Sequence, residues 1–416
     1  MSGSEIDQTQ AAAHRLPTLP DLQAWAQALG FSSLGVAALE HPEAVRGGLR
    51  AWLDAGMHGE MTYMARHEAL RGHPDRLMPG ALSALMVTID YTPAEPDWRA
   101  KAWSTLADGQ RAFIARYALG RDYHKVVRQR LQSLADRIVE AIGPFGYRAF
   151  CDSAPVLEVE LATRAGLGWR GKHTLLINRQ RGSMRFIGTL YTDLPLAEGK
   201  PETDRCGSCE RCIDICPTGA IVAPYRLDAR RCIAYLTIEH PGAIPGDLRP
   251  LIGNRVFGCD DCQLVCPWNR FAEPAVVADF LPRHRLDCAS LVELFAWDAA
   301  TFDARTAGSP IRRIGHERWL RNLAVAIGNA NPRSDEEQRV LRQALCARAD
   351  HPSALVREHV QWALDQLARR AADSDERDPE GQGQRRCDQR EADQHGDEGA
   401  IAPHPAGKNV RGGRGR

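Results

Sequence analysis

Two periods of apolar and polar positions alternate along this chain, and the switches between them mark its elements. Val127, Leu131, Leu134, Ile138 and Ile142 recur at helical spacing, so Tyr123 to Ile142 is predicted as a helix that Gly143 and Pro144 end. Upstream, Asp21 is placed to cap a helix that runs to Ala28 and stops at Gly30. Ser33 to Leu39 reads as a strand, Pro42 to Ala55 as a helix closed by Gly56, and His58-Gly59-Glu60-Met61 as the entry to a helix through Arg66. Arg71-Gly72-His73-Pro74 reads as a loop. Ala84 to Tyr91 alternates and is rich in β formers, which predicts a strand. Tyr147 to Cys151 is a short strand leading into Asp152-Ser153-Ala154-Pro155, with a helix expected from Val156 to Ala165. Thr174 to Asn178 and Met184 to Tyr191 are expected to form a hairpin around Arg181-Gly182-Ser183.

A linker rich in Pro, Gly and charge, Leu194 to Arg205, separates this α/β half from a cysteine-rich stretch. From Ser290 the pattern is helical. Arg321 to Ile327 and Arg357 to Leu364 resemble each other weakly, at an offset of about three dozen residues that suits helical hairpin repeats. Residues 1–18 read as a disordered leader. Residues 372–416, rich in Asp, Glu, Arg, Gln and Gly, cannot bury a core and read as a disordered tail.

Composition narrows the class. The chain has 416 residues, 44% hydrophobic and 25% charged, as expected for a globular protein of two or three domains. Formal net charge is zero, so any nucleic-acid contact must come from a local patch. The stretch Met1 to Pro20 has no positive n-region, apolar h-region or twin arginine, and no apolar run reaches spanning length. A soluble, cytoplasmic chain is the expectation.

The twelve cysteines change the picture most. Cys206, Cys209, Cys212 and Cys216, followed by Pro217, read C-x2-C-x2-C-x3-C-P, the bacterial ferredoxin run whose fourth cysteine ligates the other cluster. Cys259, Cys262 and Cys266, followed by Pro267, form a variant run, and Cys232 supplies its missing ligand. The partition is Cys206, Cys209, Cys212 and Cys266 on one 4Fe-4S cluster and Cys216, Cys232, Cys259 and Cys262 on the other. Zinc ribbons use paired C-x2-C without cysteines placed before proline, and disulfide frameworks belong to small secreted chains. Cys151, Cys288, Cys346 and Cys387 read as buried or incidental thiols.

Clusters move single electrons, and nearly two hundred residues precede them, far more than a wire needs. Within those residues Asp152 is either a helix N-cap or a functional acid, and Lys172 and His173 are either a solvated turn or a site. No G-x-G-x-x-G or G-x-x-x-x-G-K-[ST] is present. Asp122-Tyr123-His124 resembles the start of a cobalamin D-x-H-x-x-G motif, but Val127 replaces its glycine, so His124 is not assigned as a cobalt ligand. Between Arg305 and Arg321, five arginines and His316 face one acid, Glu317. This excess suits phosphate, unless it is a solvated helix face.

The joint order of His58-Gly59-Glu60-Met61, Gly120-Arg121-Asp122-Tyr123-His124, Asp152-Ser153-Ala154-Pro155-Val156, Arg164 to Lys172, the paired cysteine runs and Gly308-Ser309-Pro310-Ile311-Arg312-Arg313 resembles the epoxyqueuosine reductases, over about Leu19 to Leu367. The resemblance implies a mixed α/β (α+β) cobalamin-binding domain related to reductive dehalogenases over 19–198 and a ferredoxin-like two-cluster module over 199–275. It further implies an α-helical, HEAT-like repeat region over 276–371. The implied reaction converts epoxyqueuosine at the tRNA wobble position to queuosine, in the last step of queuosine formation. Electrons would pass from an unidentified donor through the clusters to cobalamin.

Asp152 matches the family's acid and is expected to give the proton, kept protonated by burial near the corrin. Arg71, Lys172, His173 and Leu176 are expected against the corrin, with Asp261 and Cys262 bringing the second cluster close. Arg312, Arg313, Arg318 and Arg321 are expected on phosphates of the anticodon stem-loop. A monomer without membrane contact is expected. Two other readings stay open: a reductive dehalogenase-like enzyme, whose relatives are typically exported with a twin-arginine signal, and an electron-transfer ferredoxin fused to a binding module.

Overall fold

Four antiparallel strands, in the order Ser33–Ala38, Ser83–Asp90, Arg185–Thr192 and Tyr147–Phe150, form the sheet that carries the site. The computed structural model describes residues 16–377. Most of the expected leader, the tail beyond 377, Cys387 and the basic stretch Lys408 to Arg416 lie outside the described residues. All eight residues of Ser83–Asp90 are buried, because both faces of the sheet are covered. Leu85, Val87 and Ile89 pack into one core with Val127, Leu131 and Leu134 of the helix Tyr123–Ile142. Ala84 and Met86 face the opposite core, with Leu161 and Ala162 of the helix Glu158–Arg164. A Cβ at Gly188 would lie 2.7 Å from Val127, so glycine there lets the long helix settle on the sheet.

The helix Tyr123–Ile142 has the limits its periodicity predicts, with Asp122 as N-cap and Gly143 as C-cap. Other boundaries differ. Thr18, not Asp21, caps the first helix; Asp21 is the acid that completes the capping box. Arg71 and Gly72 end a short helix, Glu68–Gly72, and Pro74 opens another, so this stretch is not a loop. The expected hairpin does not form: Leu176–Ile177 pairs back with Trp169–Arg170, while Arg185–Thr192 lies between Ser83–Asp90 and Tyr147–Phe150 of the sheet. An isolated bridge, Asn178 to Gly182, closes the turn between the intended arms.

In the cysteine-rich stretch the short helices Arg211–Asp214 and Asp261–Leu264, which carry Cys212 and Cys262, pack together. The C-terminal helices Gly315–Gly328, Asp335–Cys346 and Ala354–Arg377 follow. Their core includes Ile114, Ala118, Val256 and Phe257, so the hydrophobic cores cross the segment borders read from sequence. Residues up to Leu367 form one unit by contacts. No described helix is long and apolar enough to cross a membrane.

Candidate functional site

The eight cysteines of the paired runs line two cavities, four to each. Cys206, Cys209, Cys212 and Cys266 line one of about 250 Å³. Cys216, Cys232, Cys259 and Cys262 line another of about 450 Å³, and His173 belongs to both walls. These are the two sets that the run-and-exchange pattern predicts. Burial and then Cys266 and Cys206 push the Cys212 thiol up to about 11. Burial also raises Cys232, Cys259 and Cys262, each with another cysteine of its set among its electrostatic neighbours. Four crowded thiols of this kind ionise readily only beside a cation, which is the chemistry of a metal–sulfur cluster. Among the described residues, no three Cys, His, Asp or Glu side chains converge on a single ion, so the thiols ring a volume rather than a point.

The larger cavity also holds Asp152. Tyr147–Phe150 ends at its rim, and Asp152 turns there with φ of +57°, a left-handed conformation that few residues other than glycine adopt. Its side chain is 61% exposed, towards the cavity. The Tyr123 hydroxyl donates to its Oδ2, and His124 Nε2 lies 3.3 Å from the same oxygen. His124 Nδ1 is 2.7 Å from Asp122 Oδ1, and Arg313 Nη1 stands 3.1 Å from His124 Nε2. Asp152 is therefore not a helix N-cap; the following helix starts at Glu158, and its N-cap Leu157 makes no side-chain bond.

The Asp152 carboxyl is pulled in two directions. Burial does push its carboxyl up, but hydrogen bonds from His124 and Tyr123, with the charges of His124 and Arg313, outweigh that and hold it below its ordinary value. His124 is shifted the other way. Burial lowers it, yet the bonds to Asp122 and Asp152 hold it above 6.5. Glu158, whose Oε1 accepts from the Asp152 backbone N–H at 2.9 Å, is pushed up to about 8 by burial and then by the Asp152 charge. The two neighbouring carboxyls are thus pushed in opposite directions.

The remaining expected residues are divided. His173, Leu176, Asp261 and Cys262 line the Asp152 cavity. Lys172 lines the smaller cavity, with the first cysteine set, 3.9 Å from Glu210. Arg71 lines neither; it is buried with Nη1 unpartnered, among the charges of Tyr63, Asp152 and Glu158. Asp261 receives both Arg255 Nε and Nη2, at 2.7 and 2.5 Å, and accepts from Cys259 Sγ.

Two of the four expected phosphate contacts fail. Arg321 is fully buried and donates to the carbonyls of Leu236, His240 and Gly242. Arg318 donates to the carbonyls of Ile314, Ile238 and Arg313. Both guanidiniums are spent on backbone. Arg321 and Asn322 bind carbonyls of the π-helical turn Tyr235–Glu239, close after Cys232, and so tie the C-terminal helices to the second cysteine set. Arg312 and Arg313 remain exposed, and Arg313 is the one that reaches His124. Sequence reasoning missed Tyr123, Glu158 and the role of His124, because nothing in local pattern shows that the start of one helix meets the end of a distant strand.

A family model described as "4Fe-4S double cluster binding domain" matches residues 205–269, and one described as "Epoxyqueuosine reductase QueG, DUF1730" matches residues 71–153. The epoxyqueuosine reductase of Alicycliphilus denitrificans is 57% identical over 352 residues, 84% of this chain and 98% of that protein. A crystal structure of an epoxyqueuosine reductase with an epoxyqueuosine-modified tRNA-Tyr stem loop aligns with a TM-score of 0.72 at 24% identity, covering 84% of this chain and 89% of that one. The Bacillus subtilis epoxyqueuosine reductase, solved with its catalytic loop swung out of the active site, aligns with a TM-score of 0.73 at 24% identity, covering 84% and 90%. At that identity and coverage among its relatives, this chain belongs to the epoxyqueuosine reductase family.

Proposed function

We propose that this enzyme reduces the epoxide of epoxyqueuosine at the wobble position of a tRNA anticodon stem-loop to give queuosine, with Asp152 delivering the proton. The observation that carries this reading is the shared cavity: Asp152 and the second cysteine set face the same space. Removing an epoxide oxygen as water consumes two electrons and two protons, so a proton donor and a single-electron path must meet at one place.

The residues fit the expected cofactors. Each cysteine set supplies four thiols, the number a 4Fe-4S cluster takes. The Asp152 cavity has aromatic and aliphatic walls from Tyr117, Phe186, Leu176 and Ile233, and a buried His173 Nε2 without a protein partner. His124 is held by Asp122, Asp152 and Arg313, which leaves it no free nitrogen for cobalt. When bound, the clusters pass electrons singly and cobalamin delivers them to the epoxide.

This chain's own groups manage the proton. Asp122 fixes His124 Nδ1–H, leaving Nε2 as the nitrogen where a proton is gained or lost beside Asp152. His124 thus recharges an ionised Asp152, which passes the proton to the developing alkoxide, with Tyr123 orienting its carboxylate. Glu158 holds the Asp152 backbone in its left-handed turn. Arg312 and Arg313 carry the contact with tRNA phosphates, and the C-terminal helices act as a HEAT-like repeat support.

The test is single turnover of epoxyqueuosine-containing tRNA by anaerobically reconstituted protein, with nucleosides read by mass spectrometry. Cobalamin-dependent loss of one oxygen is expected. Intact clusters without any conversion would instead favour an electron-transfer or dehalogenase-like role.

A further inference from the structure

The cavity of the first cysteine set differs from its neighbour in its charge. Its charged lining is cationic throughout: Lys172, Arg205, Arg211 and Arg270. The three arginines are exposed, and their side chains make no ion pair or hydrogen bond. Arg270 lies over the Phe271 ring, 4.5 Å from its centroid, and Phe271 is itself 41% exposed. Asp204 accepts from the Tyr225 hydroxyl and from Cys206 N, and Glu210 lies by Lys172. Cys206 and Cys209 stand half-buried within this rim.

Unpaired guanidiniums around a cavity are unusual in a chain of zero net charge, and they do not serve the Asp152 side. The arginine that serves that side, Arg313, reaches His124. The two cavities meet only at His173. An order follows from the surface inward: arginines, first cysteine set, shared wall, second cysteine set, Asp152.

We propose that Arg205, Arg211, Arg270 and Phe271 form the docking face for an acidic single-electron donor protein, which presents its redox group to the first cysteine set. The proposal rests on the cluster reading above. Encounters between electron-transfer proteins bury little area and must release quickly, so charge steering supplies most of the association rate. Three unpaired arginines with one exposed aromatic ring give such a contact its sign and its centre. One electron leaves the donor and enters the first cluster in each encounter, and two encounters supply one turnover.

The experiment uses the full chain with reconstituted clusters and, as probe, a reduced acidic flavodoxin, followed by cluster bleaching in stopped flow. The variant is Arg205→Ala with Arg211→Ala and Arg270→Ala. The second-order rate constant at low salt is expected to fall about tenfold or more, with a flattened dependence on ionic strength. Reduction by dithionite, the cluster spectrum and tRNA affinity are expected to match the parent chain. An unchanged flavodoxin rate and salt slope would overturn the docking face. A variant that loses tRNA affinity with no change in flavodoxin rate would also overturn it and assign the rim to nucleic acid. A parent chain that forms no reducible cluster would overturn the cluster reading, and this face with it.

Discussion

Two cavities share the His173 wall, yet they are built for different particles. The smaller has four thiols, cations and an exposed ring, and no carboxylate in its lining. The larger has four thiols together with Asp152 and Glu158, whose proton affinities are pulled apart. The same ligand set thus sits in two electrostatic settings. Electrons can enter where charge is positive and solvent is near, while protons are held where carboxyls, a phenol and an imidazole converge.

The comparison breaks most severely at the thiols. Cys262→Ser should abolish the cluster signal at the Asp152 cavity and all turnover, while leaving the other cluster visible by electron paramagnetic resonance. Loss of both signals would mean that the sets are not separate. Asp152→Asn should lower turnover by about 10²-fold or more with tRNA affinity intact. Turnover like that of the parent would remove Asp152 from the chemistry.

His124→Gln should cost about tenfold and change the pH profile. The His124 value is held above 6.5, so its proton is present at lower pH and lost as pH rises through that raised value. The parent rate should therefore fall on the alkaline side, and the variant should lose that limb. Glu158→Gln keeps an acceptor for the Asp152 N–H and removes only a titration near 8, so its neutral-pH rate should stay within a few-fold of the parent.

A smaller contrast separates the two kinds of arginine. Arg312→Ala should weaken tRNA binding and reduce its salt slope by about one unit. Arg321→Leu should instead destabilise folding by about 3 kcal/mol, read by denaturant unfolding, because several buried carbonyls lose their donor. A variant at Arg321 that folds normally but binds tRNA weakly would restore the reading from sequence.

The sequence was most legible where chemistry is local. The helix Tyr123–Ile142 has strong periodicity and a Gly-Pro stop, and its limits match. The cysteine partition followed from spacing, since a cysteine before proline turns away from its own neighbours. Legibility failed where partners are distant. Met184 to Tyr191 has good hairpin propensity with the strand before it, but the centre of a sheet offers partners on both edges and wins. Arg318 and Arg321 looked like a phosphate patch because composition does not show which way a guanidinium points.

By itself the sequence determined the ligand inventory, the family and the helix that carries Tyr123 and His124, because these depend on residue type and short spacing. Only the tertiary structure decided what surrounds the Asp152 carboxyl. Those surroundings include residues 122, 124, 158 and 313, which come together when the long helix, the strand end and the turn before the C-terminal helices close on one cavity. Proton affinity is set by charges and hydrogen bonds in space, and sequence distance carries almost none of that information.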